Sequence, residues 1–560
     1  MPPALVLVPP ALLAAAALAC WGLGLARAPG ARAVASAGAW LAAGAVVAIW
    51  SVGGRQQVEF EVAQLAPAGV TFGMRLDAVS AAFGLLVLVP VGLLLAFQRR
   101  DPWQCGVGLL AALAAVFALE SDRLLLTAVG FSVCVTVLAS ALRQEDEDGL
   151  QPFLISLRMA WLLLLWAAVL LEVTAGTSNY AAVPVTVFGA PLFLLLAVVA
   201  VLASGLLPWG TWVPLVWARP RLEAGSLATA VMVPLGFLLL VRAYGLGGGH
   251  WPGAWLNLVL ALVGVATAFG AALRSQAAID LRGCLGQAVP MAAGLALLSL
   301  ALGTPAGIDA AIVALAGAAV VAGMGPLLPG APRGLVLAGL GIAAGLPPAL
   351  VFGGWLLAIQ AAFGAGAAFP LLGLAAAAGW LLWVAGVARA LRLPSPEAGR
   401  SGAGAWAGLA IAVVAGVGAA GVEALLALPA AGEVIRLPAS LSSGVQLPVA
   451  QPSGGWSPLL LGLPFVILVV LASGAGRRLS HVPAEPSPVD RVAPLLSSSS
   501  WRKGTGTRRA IEWIRQGESR GRVPKNLAGM WGGRVIGGMT QSRPAVWAAI
   551  TLALVLVVTR

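Results

Sequence analysis

Lysine is nearly missing from this chain: two occur in 560 residues, Lys503 and Lys525, and none precedes them. Charge of either sign is scarce, at 10% of residues, where a soluble globular protein carries about 25%. With 60% apolar residues, that shortage excludes a soluble enzyme, a disordered chain and a soluble domain on a lone anchor. The two histidines, His250 and His481, stand in separate polar connections. The four cysteines (Cys20, Cys105, Cys134, Cys284) are scattered singly through apolar text with no CxxC pair. A haem or zinc site and a disulfide framework are therefore not expected. No GxGxxG or P-loop follows a strand, and the glycines of 245–249 join apolar segments, with nothing to mark a phosphate cradle.

What the chain has in abundance is long apolar runs. A helix needs about 20 mostly apolar residues to cross the hydrocarbon, where every backbone group must be paired internally. Runs of this kind predict an all-α polytopic membrane protein with about 16 spans by that length rule. The first nine are near 4–25, 33–51, 76–97, 103–119, 122–142, 152–174, 185–207, 222–246 and 252–273. The others are near 283–303, 306–328, 333–364, 367–391, 403–429, 457–476 and 545–559. Ala17-Leu18-Ala19-Cys20 has the look of a lipoprotein cleavage box, but no charge precedes Arg27, so 4–25 reads as a retained first span. The twelfth run is too long for one straight helix, and Gly345-Leu346-Pro347-Pro348 is expected to break it.

Arginine placement sets the orientation. Connections after odd-numbered spans carry Arg27/Arg32, Arg99/Arg100, Arg143, Arg219/Arg221, Arg274/Arg282, Arg333, Arg389/Arg392/Arg400 and the basic 477–544 stretch. Those after even-numbered spans carry only Arg55, Arg75, Arg123, Arg242 and Arg436. Odd connections are thus expected in the cytoplasm and both termini outside, in a membrane of the bacterial cytoplasmic kind. Of the net charge of +12, the 477–544 segment alone holds +9. Within it, Arg508–Arg520 sets Ile511, Trp513 and Ile514 among arginines. Two readings stand: a short surface helix on anionic lipid headgroups, or a solvated basic linker. Adjoining spans favour lipid over nucleic acid as its partner. The polar–apolar alternation of Gln56–Val62 predicts an external hairpin within 52–75.

The chain accordingly divides into 1–75 (two spans and an external loop), 76–402 (a core), 403–476 (further spans), 477–544 (basic and cytoplasmic) and 545–560 (a last span).

Several local texts occur in a telling order: Arg75-Leu76-Asp77-Ala78-Val79-Ser80 opens the third span, and Leu207-Pro208-Trp209-Gly210-Thr211-Trp212-Val213-Pro214 follows the seventh. Asp280-Leu281-Arg282 precedes the tenth, and Gly345-Leu346-Pro347-Pro348 interrupts the twelfth. In this order, over about residues 70–400, the chain resembles the antiporter-like membrane subunits of respiratory complex I, a family shared with membrane-bound hydrogenases and Mrp-type antiporters. The resemblance implies two inverted five-helix repeats, each with a broken helix, marked here by Pro208, Trp212 and Pro214 and by Gly345, Pro347 and Pro348. It also implies a subunit of a complex I-like or hydrogenase-type assembly, concerned with proton or cation translocation, beside other membrane subunits. Quinone, flavin or iron–sulfur groups would then belong to those partners, with no cofactor on this chain.

In that family a glutamate on the fifth span and lysines on later spans carry protons. Here the corresponding positions fall on Phe131 or Ser132, Ala203, Pro234, Gly317, Val321 and Trp355. The expectation is a retained fold with an impaired or lost proton relay. A purely structural docking subunit, or an unrelated carrier of a neutral or lipidic substrate, are the alternatives. Other ionisable residues near the membrane are Asp77, Glu120, Asp122, Arg123, Arg158, Glu172, Asp309 and Glu423. Intramembrane charge is costly and marks functional candidates, but most of these lie close enough to a span end to reach headgroups instead. Glu423 and Arg158 lie deepest. Glu423, Arg158, Glu172, Glu120 and Asp309 form the list of ion-pathway candidates, and no catalytic or metal-binding residue is expected.

Overall fold

The computed structural model describes residues 2–434, apart from 54–56, 63–71, 98–100, 144–150, 208–211, 218–221, 279, 330, 366–368 and 392–402. The expected spans at 457–476 and 545–559 and the Arg508–Arg520 segment lie outside the described residues.

Two helices open the chain, α1 (Val8–Leu25) and α2 (Ala31–Val52). A short antiparallel hairpin follows, β1 (Val58–Val62) with β2 (Phe72–Leu76), in which Glu59 faces Arg75 and Phe60 faces Met74. This is the hairpin that the polar–apolar alternation predicts. Then come α3 (Ala78–Phe97), α4 (Pro102–Glu120), α5 (Leu124–Arg143), α6 (Gln151–Ala175), α7 (Ala190–Ala203), α8 (Trp212–Trp217) and α9 (Leu222–Leu246). The second half holds α10 (Ala254–Ala277), α11 (Leu281–Leu285), α12 (Ala288–Ala301), α13 (Pro305–Met324), α14 (Arg333–Ala343), α15 (Leu350–Gly364) and α16 (Phe369–Ala390). Finally α17 (Ala403–Val417) leads into α18 (Ala419–Val434), bent from it by 73°.

Eleven helices among the described residues are long and apolar enough to cross a membrane, or twelve with the bent pair counted as one span. The shorter apolar helices α7, α14 and α15 belong to the interrupted segments. The chain is an all-α polytopic membrane protein, and its described residues stop short of the sixteen spans expected. One expectation needs correction: the fourteenth apolar run does not continue straight through 403–429 but turns at Gly418. Glycine is too frequent in this chain, at 71 residues, for that one to stand out in sequence.

Helix contacts run in the same order twice. In the first half α4, α5, α6, α7 and α9 pack as successive neighbours, and α9 returns to α4. In the second half α10, α12, α13, α15 and α16 do the same, and α16 returns to α10.

Both halves also break one helix in the same way. At the end of α7, Gly205 adopts φ +70° and the Leu206 N–H donates to the Val201 carbonyl at 3.0 Å. At the end of α14, Gly345 adopts φ +75° and the Leu346 N–H donates to the Gly341 carbonyl at 2.9 Å. These are glycine-terminated helix ends, in which a left-handed residue folds the chain back on its own last turn. A helix ended inside hydrocarbon still leaves carbonyls bare, which lipid cannot satisfy. Tryptophan indoles meet them: Trp212 Nε1 donates to Leu202 at 3.0 Å, Trp380 Nε1 to Ala344 at 2.8 Å and Trp383 Nε1 to Ala343 at 3.1 Å. Each of these tryptophans is 1% exposed.

Candidate functional site

Buried charge gathers on the face where α3 begins. Asp77 ends the hairpin and caps α3, accepting the Ser80 N–H at 2.7 Å on a side chain closed to solvent. A short acceptor at this place satisfies one of the free N–H groups of the first turn. Arg242, four residues before the end of α9, grips the same carboxylate with both terminal nitrogens, at 2.6 and 3.0 Å. Its Nη2 also reaches Ser80 Oγ at 2.9 Å. Arg75 approaches Asp77 from the strand at 2.6 Å and bonds Glu433, near the end of α18, at 3.2 Å. The other Glu433 oxygen accepts the Ala78 N–H at 2.7 Å, so a residue 355 positions away completes the cap of α3. Burial pushes the Asp77 carboxyl up, but the Arg242 and Arg75 guanidiniums outweigh it and hold the group below the usual carboxylate range.

The network extends outward. The Arg242 guanidinium lies 5.4 Å from the centre of the Tyr180 ring, a cation–π distance, and the Tyr180 hydroxyl meets Thr127 Oγ1 at 2.9 Å. Burial pushes the Tyr180 phenol up to about 12. Asp122, in the α4–α5 turn, accepts from Asn179 Nδ2 at 3.1 Å. Burial raises its carboxyl, with Arg123 working against that.

The ion-pathway candidates fare differently. Glu120 is 1% exposed, stands within electrostatic reach of Asp77, and leaves Oε2 without a hydrogen bond among the described residues. Asp309, 4% exposed near the start of α13, meets Glu423 of α18 at hydrogen-bonding range. Glu423 opens a π-helical turn, Glu423–Ala427, beyond the bend, and so does not sit inside a straight span. Glu172 accepts the Ser178 hydroxyl near the end of α6. Arg158 is exposed on α6 and joins none of these groups.

The sequence reading counted Arg242 with the connections. It is instead 8% exposed inside α9, tied to Asp77. Glu433 escaped notice altogether, because its role depends on the turn of α18 back over α3. The one signal available was Asp77 itself, a carboxylate ahead of a long apolar run that needs a buried cation.

Where the resembled family places its proton carriers, the side chains carry no acid or base: Ser132, the alternative to Phe131, is a partly buried hydroxyl, and the other positions are apolar apart from the Trp355 indole N–H. Phe131 and Ala203 are fully buried, Val321 and Trp355 are 1% exposed, and Pro234 is enclosed in α9. Gly317 lies where an added Cβ would meet the Val351 backbone at 3.0 Å. The buried acidic and basic side chains among the described residues are Asp77, Glu120, Asp122, Arg242, Arg282 and Asp309, and all lie within about a turn and a half of a helix end.

No family model matches the sequence, and no curated protein does either. Solved structures do match the fold. A chain of the Mrp complex from Dietzia sp. DQ12-45-1b is similar over 98% of this chain, with 21% identity and a TM-score of 0.69. This chain spans 63% of the length of that one. A chain of respiratory complex I from Thermus thermophilus with bound aureothin is similar over 75% of this chain and 99% of its own, at 21% identity and a TM-score of 0.58. A chain of the membrane-bound sulfane sulfur reductase, an archaeal respiratory membrane complex, is similar over 77% of this chain and 98% of its own, at 15% identity and a TM-score of 0.66. The protein therefore shares its fold with chains of an Mrp complex, a respiratory complex I and a membrane-bound sulfane sulfur reductase.

Proposed function

We propose that this chain is a membrane subunit of a complex I-like or Mrp-like assembly, retaining the translocating family's fold without a proton relay of its own. The observation that carries the reading is the packed apolar filling at Phe131, Ala203, Val321 and Trp355, where the family would need ionisable groups. A relay needs titratable groups linked through the membrane, and a buried lysine is the usual device because its pKa shifts readily. Here the buried charges stay near helix ends, and Asp77, Arg242, Arg75 and Glu433 neutralise one another in fixed pairs. Such pairs clamp helices together. In this reading redox groups and ion movement belong to partner subunits, the 477–544 segment faces anionic headgroups in the cytoplasm, and both termini lie outside.

Purified protein in proteoliposomes tests the proposal. Proton flux, followed with an internal pH dye, should equal that of empty liposomes, and extraction in mild detergent should recover other membrane subunits with this chain. Conduction above the lipid background, abolished by Glu423→Gln, would overturn the loss of the relay. Recovery as a monomer alone would overturn membership of an assembly.

A further inference from the structure

A cavity of about 510 Å³ opens between α2 and α3, walled by Arg32, Ala33, Ser36, Ala37 and Trp40 from α2 and by Ala96 from α3. Arg32, Ser36 and Trp40 recur every four residues and so lie one above another on one helix face. Two contacts fix the cavity floor. Ser36 Oγ donates to the Gly92 carbonyl at 3.1 Å, and the Trp40 indole lies so close to Gly92 that an added Cβ there would meet its ring at 3.0 Å. The short side chains of Ala33, Ala37 and Ala96 leave the space beside that floor open. Its volume falls within the range of about 300–1,000 Å³ typical of small-molecule sites.

The polarity of the cavity is graded along the helix. Arg32 is the second residue of α2, at the end of a candidate span, whereas Trp40 lies about 12 Å further along at 1.5 Å per residue. That sets the guanidinium at headgroup depth and the indole among acyl chains. Arg32 has no ion pair among the described residues, and none of the residues lining the cavity is acidic. We propose that this cavity binds one anionic phospholipid, its phosphate on Arg32 and an acyl chain laid over Ala37 along the Trp40 ring. Guanidinium matches phosphate through parallel hydrogen bonds, and basic pockets between spans hold such headgroups. A zwitterionic headgroup brings its own cation to the phosphate, so a lone arginine favours a headgroup with net negative charge. A free anion would leave the Trp40 end of the cavity unfilled. This inference does not depend on the assembly proposed above or on whether the chain conducts protons.

Dioleoyl phosphatidylglycerol is the probe. Full-length protein, stripped of lipid in detergent, is titrated with it and weighed intact by native mass spectrometry. Wild type should hold one more lipid per chain than Ala37→Phe, which fills the cavity. It should bind that lipid about tenfold more tightly than Arg32→Gln, the loss of one charge-assisted hydrogen bond. Dioleoyl phosphatidylcholine, with the same chains, should not distinguish wild type from Arg32→Gln, and glycerol phosphate, a headgroup without chains, should displace nothing. Arg32 and Ala37 are both exposed, so the two variants leave the helix core intact. Equal phosphatidylglycerol uptake by wild type and both variants would overturn the proposal. So would displacement by glycerol phosphate, which would mark a site for free anions. Loss of a co-purifying membrane subunit in Ala37→Phe, with lipid uptake unchanged, would give the cavity to a partner helix and overturn it likewise.

Discussion

Arg242 and Asp77, 165 positions apart, meet as a two-pronged pair in which the carboxylate is fully enclosed and the guanidinium nearly so. Planar guanidinium matches carboxylate in this geometry, and a lysine could not reproduce the second prong. The pair joins the start of α3 to the end of α9, and Arg75 and Glu433 extend it to the hairpin and α18.

Breaking that pair should be costly. Arg242→Leu leaves Asp77 enclosed without its main partner, a loss of about 3–5 kcal/mol by analogy with other buried pairs. Arg242→Lys keeps the charge but not the fork and should fall between. Thermal unfolding in detergent, followed by loss of the monodisperse peak, ranks the three proteins.

Glu433 is the clasp of α18. Glu433→Gln can still accept the Ala78 N–H but gives up its charge toward Arg75, whereas Glu433→Ala gives up both. A charge-assisted hydrogen bond contributes about 1.5–3 kcal/mol, so the alanine variant should lose the larger part of that range and the glutamine variant less. Hydrogen exchange over 419–434 reads the effect directly, with faster exchange expected in the order Ala, Gln, wild type.

The pH dependence has two limbs with opposite causes. Asp77 is held below the ordinary carboxylate value, so its contribution is present above about pH 3.9 and fades as pH falls toward its lowered pKa. Tyr180 is raised from 10.0 to about 12, so its contribution is complete below pH 10 and lost between there and about 12. Tyr180 and Tyr244 are the chain's two tyrosines. In a Tyr244→Phe background, phenolate absorbance near 295 nm should therefore report Tyr180 alone, with its midpoint near 12. A midpoint near 10 would mean that the phenol is not buried.

The broken helices depend on glycine and indole together. Gly345→Ala forces a Cβ into a left-handed turn, for about 1–2 kcal/mol. Trp212→Phe keeps the ring but strips a donor from the Leu202 carbonyl, for about 1–3 kcal/mol. Melting curves of the single variants and the double variant should show nearly additive losses, because the two breaks lie in different halves of the molecule.

Legibility followed the range of the signal. Local patterns were readable: Gly345-Leu346-Pro347-Pro348 announced its break, and the alternation through Gln56–Val62 announced the hairpin. Apolar runs located the helices, because lipid leaves an unpaired backbone no alternative. The charged cluster was not readable, since its members come from 75, 77, 242 and 433 and share no spacing. An arginine near a span end looks the same in sequence whether it reaches headgroups or turns inward to a carboxylate. Asp309 and Glu423 were each flagged singly, and only the bend after α17 brings them together.

The Asp77–Arg242 pair also has a history written into chain order. At about 5–20 residues per second, a growing chain needs roughly 8–33 s to make the 165 residues between them. Through that interval α3 has emerged with a carboxylate that has no α9 to receive it, and the clasp from Glu433 comes later still. During biogenesis Asp77 therefore has Arg75, two residues ahead of it in the chain, as its guanidinium partner until α9 supplies Arg242. Synthesis order makes this cluster a late lock, closed last by the segment translated last among its members.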